Sequence, residues 1–265
     1  MKQSILSHLP TNHPWAENIH WHDTIDSTNN EAKRLGAAGA PHGTVVIAGH
    51  QAGGRGRMGR SFHSPADLGL YLSVILRPNC AATELMHLTC AAAVAACHAV
   101  ADTTDLWPNI KWTNDLVFAF KKLGGILTEL SFHADGTINY AIVGIGINCN
   151  HTAADFPPEL QHMAASIAMC TGNPVDCSRL AAQLIHQLYD MDQSLLLKKD
   201  LIMKLYRVRC MTLGREVAIH HFNEIRYGTA MDVDLDGGLI VRFSDGHKET
   251  VAAGEVSVRG MYGYM

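Results

Sequence analysis

The densest chemistry in the sequence is the ten-residue stretch Gln51–Arg60, QAGGRGRMGR. It holds three arginines, four glycines and no acidic residue, in a chain whose formal net charge is −4. Arginine presents a fixed fork of donors that matches phosphate and carboxylate oxygens. Glycine lets backbone N–H groups approach a ligand closely and accepts positive φ. A loop of the two is an anion cradle. It is not a Walker loop, because no Gly-Lys-Ser/Thr ends it, and its spacing is not that of a dinucleotide fingerprint.

Three shorter segments accompany it. Ser27-Thr28-Asn29 offers neutral donors and acceptors. These suit a helix cap or a pocket for a small neutral group such as a urea, and the two are compatible because a helix N-terminus also presents free N–H groups. Lys111–Leu116 (KWTNDL) supplies the second basic group that a phosphate or a developing negative charge requires. Read as one strand, it puts Lys111, Thr113 and Asp115 on one face and Trp112 and Asn114 on the other. Gly144–Asn148 (GIGIN) is a strand with two glycines on one face, the mark of close approach by a ligand or a backbone. Each segment also has a plainer reading as cap, solvated turn, solvent-facing lysine or core strand.

These residues need elements to hold them. Thr28 and Glu31 match a capping box that opens a helix ending near Gly39. Thr44–His50 reads as a buried strand feeding the arginine loop, and Gly69–Leu76 as a second strand. Glu84–Asp102 is an alanine-rich helix, apolar nearly all round and so packed on several sides. Asn109–Phe118 reads as a strand carrying Lys111. Leu123–Phe132 and Thr137–Asn148 form a hairpin about Asp135-Gly136. Ser178 caps a helix with Leu180, Leu184, Leu188, Met191 and Leu195 down one face, and Asp200 caps a shorter one to Arg209. Beyond Gly214 short alternating strands, punctuated by Asp236-Gly237-Gly238 and Asp245-Gly246, predict a small β-barrel. The boundary is expected near residue 211, giving units 1–210 and 211–265.

Composition narrows the class. With 47% hydrophobic and 17% charged residues, the 265-residue chain is ordinary for a globular protein with a sizeable core. Slight acidity argues against a general nucleic-acid or membrane-surface binder. No apolar run approaches the ~18 residues of a membrane span. The N-terminus lacks a signal-peptide h-region, so a cytoplasmic location is expected. Seven cysteines without a CxxC pair read as reduced thiols, and sixteen scattered histidines give no zinc spacing, so no protein-bound zinc is expected.

Taken in order, the motifs resemble those of biotin protein ligases over most of the chain. The carriers are Ser27-Thr28-Asn29, GRGRMGR at Gly54–Arg60, KWTNDL, KLGGIL at Lys122–Leu127, GIGIN, and the closing GEVSVR at Gly254–Arg259. The resemblance implies an α+β catalytic domain related to class II aminoacyl-tRNA synthetases, with a mixed sheet and helices, followed by an SH3-like barrel. It implies that ATP, Mg²⁺ and biotin give biotinoyl-5′-AMP and pyrophosphate. A lysine of a biotin carboxyl carrier protein, a carboxylase subunit, then takes the biotin. Lys111 and Arg57 are the implied catalytic residues. The implied biotin site is Ser27, Thr28, Asn29, Gln51, Gly54, Arg55, Gly56, Arg57, Lys111, Gly125 and Gly144. The implied nucleotide site is Arg55, Arg57, Arg60, Phe62, Lys111, Asn114, Asn148 and Arg259. No metal ligand is assigned.

Two residues depart from the pattern. Thr113 stands at the usual proline and Phe62 where a tryptophan often follows the loop. Phe62 keeps a ring for the adenine to stack on. The motifs begin by residue 27, so a monofunctional type without an N-terminal helix-turn-helix domain is expected, with no nucleic-acid or membrane partner. Oligomeric state stays open, a homodimer included. The competing readings are a lipoate–protein ligase of related fold and an RGG-like nucleic-acid-binding module. The second would want repeated RGG units and interleaved aromatics.

Overall fold

The apolar runs bounded by glycine fold into a seven-stranded sheet. A computed structural model describes residues 1–221, 224–252 and 255–258. The strands are β1 (Ile19–Ile25), β2 (Thr44–Gln51), β3 (Gly69–Leu76), β4 (Asn109–Lys111), β5 (Asp115–Phe118), β6 (Lys121–Phe132) and β7 (Ile138–Asn148). Their order across the sheet is β1-β2-β3-β7-β6-β5-β4. Only β1 and β2 run parallel; the other pairs are antiparallel, so the sheet is mixed. The helices are α1 (Lys2–His8), α2 (Thr28–Ala37), α3 (Leu88–Thr104), α4 (Ile167–Thr171), α5 (Cys177–Ser194) and α6 (Lys199–Arg209).

Helix α2 crosses from β1 to β2 and packs Ala32 on Val46, Ile75, Tyr140 and Ile142. Helices α3 and α5 pack on each other and cover the opposite face of the sheet. This is why β2 and β3 are buried along most of their length, and why α3 has no polar face. The segment Ala82–Thr104, with a mean hydropathy of 1.4, is in fact long and apolar enough to cross a membrane. In the fold 78% of its most apolar 18-residue window is buried inside the protein, so it serves as a core helix and the expectation of no membrane span stands.

Asn109–Phe118 is not one strand. It reverses at Trp112–Asn114 into the antiparallel pair β4–β5, with Lys111 opposite Asp115. The reversal is held from outside: the Trp112 N–H donates to Thr212 Oγ1 at 2.9 Å and its indole N–H to the Gly237 carbonyl at 2.8 Å. The Trp112–Thr113 peptide is cis. The expected caps also differ. No capping box forms at α2: Glu31 pairs with Arg34 at 2.7 Å, and the Thr28 N–H goes to Gln51. Asp176, not Ser178, caps α5, accepting from the Ser178 and Arg179 N–H groups. Lys198 occupies the N-cap of α6, and Asp200 lies in its first turn.

The C-terminal strands are β8 (Glu216–His221), β9 (Glu224–Val233), β10 (Leu239–Phe243), β11 (Lys248–Val251) and β12 (Glu255–Val258). They form an antiparallel, SH3-like sheet in the order β11-β10-β9-β8-β12. Gly237 and Gly246 take φ near +88° in the turns where the sequence places them. Besides the Trp112 bonds, Arg207 Nε donates to the Val233 carbonyl at 2.7 Å and fastens this sheet to α6.

Candidate active site

The Ser27–Asn29 turn, the arginine loop, β6 and β7 line a cleft that opens to solvent. Its floor depends on two glycines of β7. A Cβ at Gly144 would overlap the Asn29 carboxamide, and one at Gly146 would stand 2.6 Å from Phe62 Cε1. The glycine face therefore admits one wall residue at each end: Asn29 at the neutral end and Phe62 at the other. The Phe62 ring meets Tyr71 edge-on at 6.3 Å.

The neutral end is a closed hydrogen-bond network. Gln51 Oε1 accepts from the Thr28 N–H at 2.8 Å and from its hydroxyl at 3.2 Å. Gln51 Nε2 donates to Ser64 Oγ at 2.9 Å. Buried Ser73 Oγ lies 2.8 Å from Thr28 Oγ1 and 2.7 Å from Asn29 Oδ1. Asn29 Nδ2 donates to the Leu127 carbonyl at 3.2 Å and to Glu129 Oε2 at 2.8 Å. Such a satisfied network fixes its donors and acceptors in place.

The other end is cationic. Arg55, Arg57, Arg60, Lys111 and Lys122 line the cleft, and Asp115 is the one carboxylate among the described lining residues. Arg57 donates to Asn114 Oδ1 at 3.1 Å, and Asn114 Nδ2 donates to the Ile126 carbonyl at 2.9 Å. Lys122 Nζ donates to Asp115 Oδ1 at 2.6 Å. Charge of one sign in a walled cleft concentrates anions. The loop itself is a tight hairpin: the Gly56 N–H meets the Arg60 carbonyl at 2.7 Å and the Phe62 N–H meets the Gly54 carbonyl at 2.9 Å. Met58 at its tip is 70% exposed, with φ +56°.

Most of the residues singled out from sequence thus meet in one cleft. Gly54 does not line it. A Cβ there would overlap the Phe62 carbonyl, so this glycine lets the hairpin close. Asn148 is buried outside the lining, with Nδ2 donating to the Ala165 carbonyl at 3.0 Å and to the Lys122 carbonyl at 3.5 Å. Arg259 and Gly254 lie outside the described residues. The structure adds Lys122, Asp115 and Trp112 to the lining. It also adds Glu129, which touches Asn29 and Arg55. Lys122 opens KLGGIL, the same segment whose Gly125 the resemblance assigns to the biotin site.

Comparison with known proteins gives this cleft a family. Residues 21–148 match the biotin/lipoate A/B protein ligase family, and residues 212–259 match the biotin protein ligase C terminal domain. The chain is 32% identical over 238 residues to a bifunctional ligase/repressor, BirA, of Bacillus subtilis, spanning 89% of this chain and 73% of that protein. It belongs to the biotin protein ligase family. This biotin protein ligase family member is a ligase. It is 29% identical over 236 residues to a biotin–[acetyl-CoA-carboxylase] ligase of Mycobacterium tuberculosis, spanning 87% of this chain and 85% of that one. Its fold superposes on a biotin protein ligase from Aquifex aeolicus, solved in complex with biotin and ATP, with a TM-score of 0.77 and 28% identity over 92% of this chain and 99% of that one.

Proposed function

We propose that the protein activates biotin with ATP and transfers it to a carrier lysine. The observation that carries this reading is one cleft with a neutral hydrogen-bonding end and a five-cation end, on a family fold. A urea ring needs neutral donors and acceptors, which Ser27, Thr28, Asn29 and Gln51 supply. The valerate carboxylate would then point toward Arg57, Lys111 and Lys122. There it attacks the α-phosphorus of ATP, the bond to the β-phosphate oxygen breaks, and pyrophosphate leaves. Charge builds on the phosphoryl oxygens as the anions meet, and fixed cations lower that barrier most where the charge develops. In the second step a neutral carrier lysine attacks the acyl carbon, the acyl–oxygen bond to AMP breaks, and the lysine proton passes to water. The arginine hairpin closing over the anhydride would exclude water meanwhile.

Phe62, beside Gly146, would stack on the adenine, and Arg60 would meet phosphate. Residues 1–210 are assigned to this chemistry and 211–265 to an SH3-like unit that bounds it. Among the described residues no group of three or more His, Cys, Asp or Glu side chains is arranged to hold a metal ion. Asp115, the one carboxylate of the described lining, is already paired with Lys122, so a Mg²⁺ would come in on the triphosphate with its own waters rather than sit in an all-protein cage. When bound there, Mg²⁺ would spread the charge of the leaving pyrophosphate. The deciding experiment is pyrophosphate release from ATP with biotin or lipoate as the acid. Release with biotin alone supports the reading; release with lipoate alone, or with neither, ends it.

A further inference from the structure

We propose that Glu129 is a positioning residue: a built-in anion that holds loop residue Arg55 until a ligand's anionic oxygens replace it. The inference rests on reading the cleft as the site of biotin activation. Glu129 stands on β6, and three groups from two other parts of the chain converge on it. Lys33 Nζ from α2 is 2.6 Å from Oε1, Arg55 from the loop is 3.3 Å from the same oxygen, and Asn29 Nδ2 donates to Oε2 at 2.8 Å. Arg55 is held a second time by Asn30 Oδ1, at 3.0 Å.

The arrangement suits exchange better than permanent anchoring. Arg55 is 41% exposed, whereas the Glu129 carboxylate is only 19% exposed. The more exposed partner is the arginine, and it sits on a glycine-rich hairpin. Lys33 is already in contact with the carboxylate, so departure of Arg55 leaves no bare buried anion behind. Burial pushes the Glu129 carboxyl up, but the bonds from Lys33 and Asn29 and the charge of Arg55 outweigh it and hold the group ionised. Glu129 thus fixes the Asn29 amide in the pocket wall while lending Arg55 a substitute for the substrate's own acid.

Trypsin reads this directly, because cleavage in the loop requires the hairpin to open and the rate tracks the open population; cuts after Arg57 and Arg60 are followed, since every variant keeps those two sites whereas Arg55→Gln loses its own. An ion pair this exposed is worth about two- to fivefold in a local equilibrium. Without ligand, Glu129→Gln should be cut about threefold faster than wild type. It should have no further effect in an Arg55→Gln background. Lys33→Met should be cut more slowly than wild type, because Arg55 becomes the only cation on the carboxylate; loss of a merely structural contact would not slow cleavage. With biotin and ATP present, wild type and Glu129→Gln should be equally protected. Equal ligand-free rates in wild type and Glu129→Gln, or the same increase in the Arg55→Gln background, would overturn the proposal. So would faster cleavage of Lys33→Met, or a Glu129→Gln protein that stays labile with both ligands bound. Thermal unfolding of each variant confirms that cleavage is local. The ligand-free comparisons need no catalysis, so failure of the biotin reading is seen separately, as absence of pyrophosphate release.

Discussion

Gln51, the last residue of β2, caps helix α2 by accepting the Thr28 N–H at 2.8 Å across the mouth of the cleft. The helix has no side-chain cap of its own at Ser27. One side chain therefore ends a strand, starts a helix and faces the neutral pocket. Gln51→Ala should cost about 1 kcal/mol as a lost cap. It should also raise the biotin KM about tenfold through a lost polar contact. Gln51→Glu keeps the acceptor toward Thr28 but loses the donor to Ser64 Oγ. Calorimetry with biotin kinetics checks this: a Tm restored by Gln51→Glu with KM still raised is the expected result.

The two glycines of β7 separate the ends of the cleft. Gly144→Ala drives a methyl into the Asn29 carboxamide, and Gly146→Ala drives one against the Phe62 ring. Overpacking of this kind costs about 1–3 kcal/mol, which is ten- to a hundredfold in affinity if it falls on the ligand. Gly144→Ala should raise the KM for biotin more than that for ATP, and Gly146→Ala the reverse. Steady-state kinetics with each substrate varied in turn would show the same pattern in both variants if the division of the cleft is wrong.

Lys111 and Lys122 both line the cationic end, and Lys122 Nζ donates to Asp115 Oδ1 at 2.6 Å. Removing a preorganised group that stabilises developing charge costs about 10² in rate. Lys111→Ala and Lys122→Ala should each lower biotin-dependent pyrophosphate release by about that factor. Asp115→Asn should lose about tenfold, since an amide still accepts from Lys122 but no longer fixes it by charge. A folded lysine variant with near-normal release takes that lysine away from the reacting centre.

The sequence carried the strands that make the cleft floor because their signals are local. Apolar runs bounded by glycine or by Asp135-Gly136 predict β2, β3, β6 and β7 nearly to the residue. It did not carry the β4–β5 reversal. Trp112-Thr113-Asn114 lacks glycine and proline, and its turn is held by Thr212 and Gly237, about a hundred residues away. The cap of α2 failed for the same reason, since Gln51 lies on another strand. At the site, motif spacing found most of the residues that line the cleft but not Glu129, which is brought to Asn29 and Arg55 only where β6, α2 and the loop meet. Asn148 shows the converse. Its place in GIGIN points to the nucleotide, while in the fold its amide ties β7 to Ala165.

The last prediction concerns acid stability. His151 is 1% exposed, stacked on Phe156 at 4.8 Å, with the His63 ring 6.3 Å away. Burial, helped by the charge of His63 and opposed by Asp155, pushes its pKa down to about 4 from an ordinary 6.5. Below pH 6.5 the unfolded chain therefore binds a proton that the folded protein refuses. Since stability rises with pH wherever the unfolded state holds more protons, the neutral ring's contribution is complete above pH 6.5 and is lost as pH falls toward 4. The slope is about 1.4 kcal/mol per pH unit for one such group, so the total is on the order of 3 kcal/mol. Buried His13 and His87, also pushed down chiefly by burial, add in the same direction. His151→Phe keeps a ring against Phe156 and removes this titration. Urea unfolding at pH 7.5 and pH 5 should show a smaller loss of midpoint in His151→Phe than in wild type. An equal loss in both would mean that His151 is protonated in the folded protein.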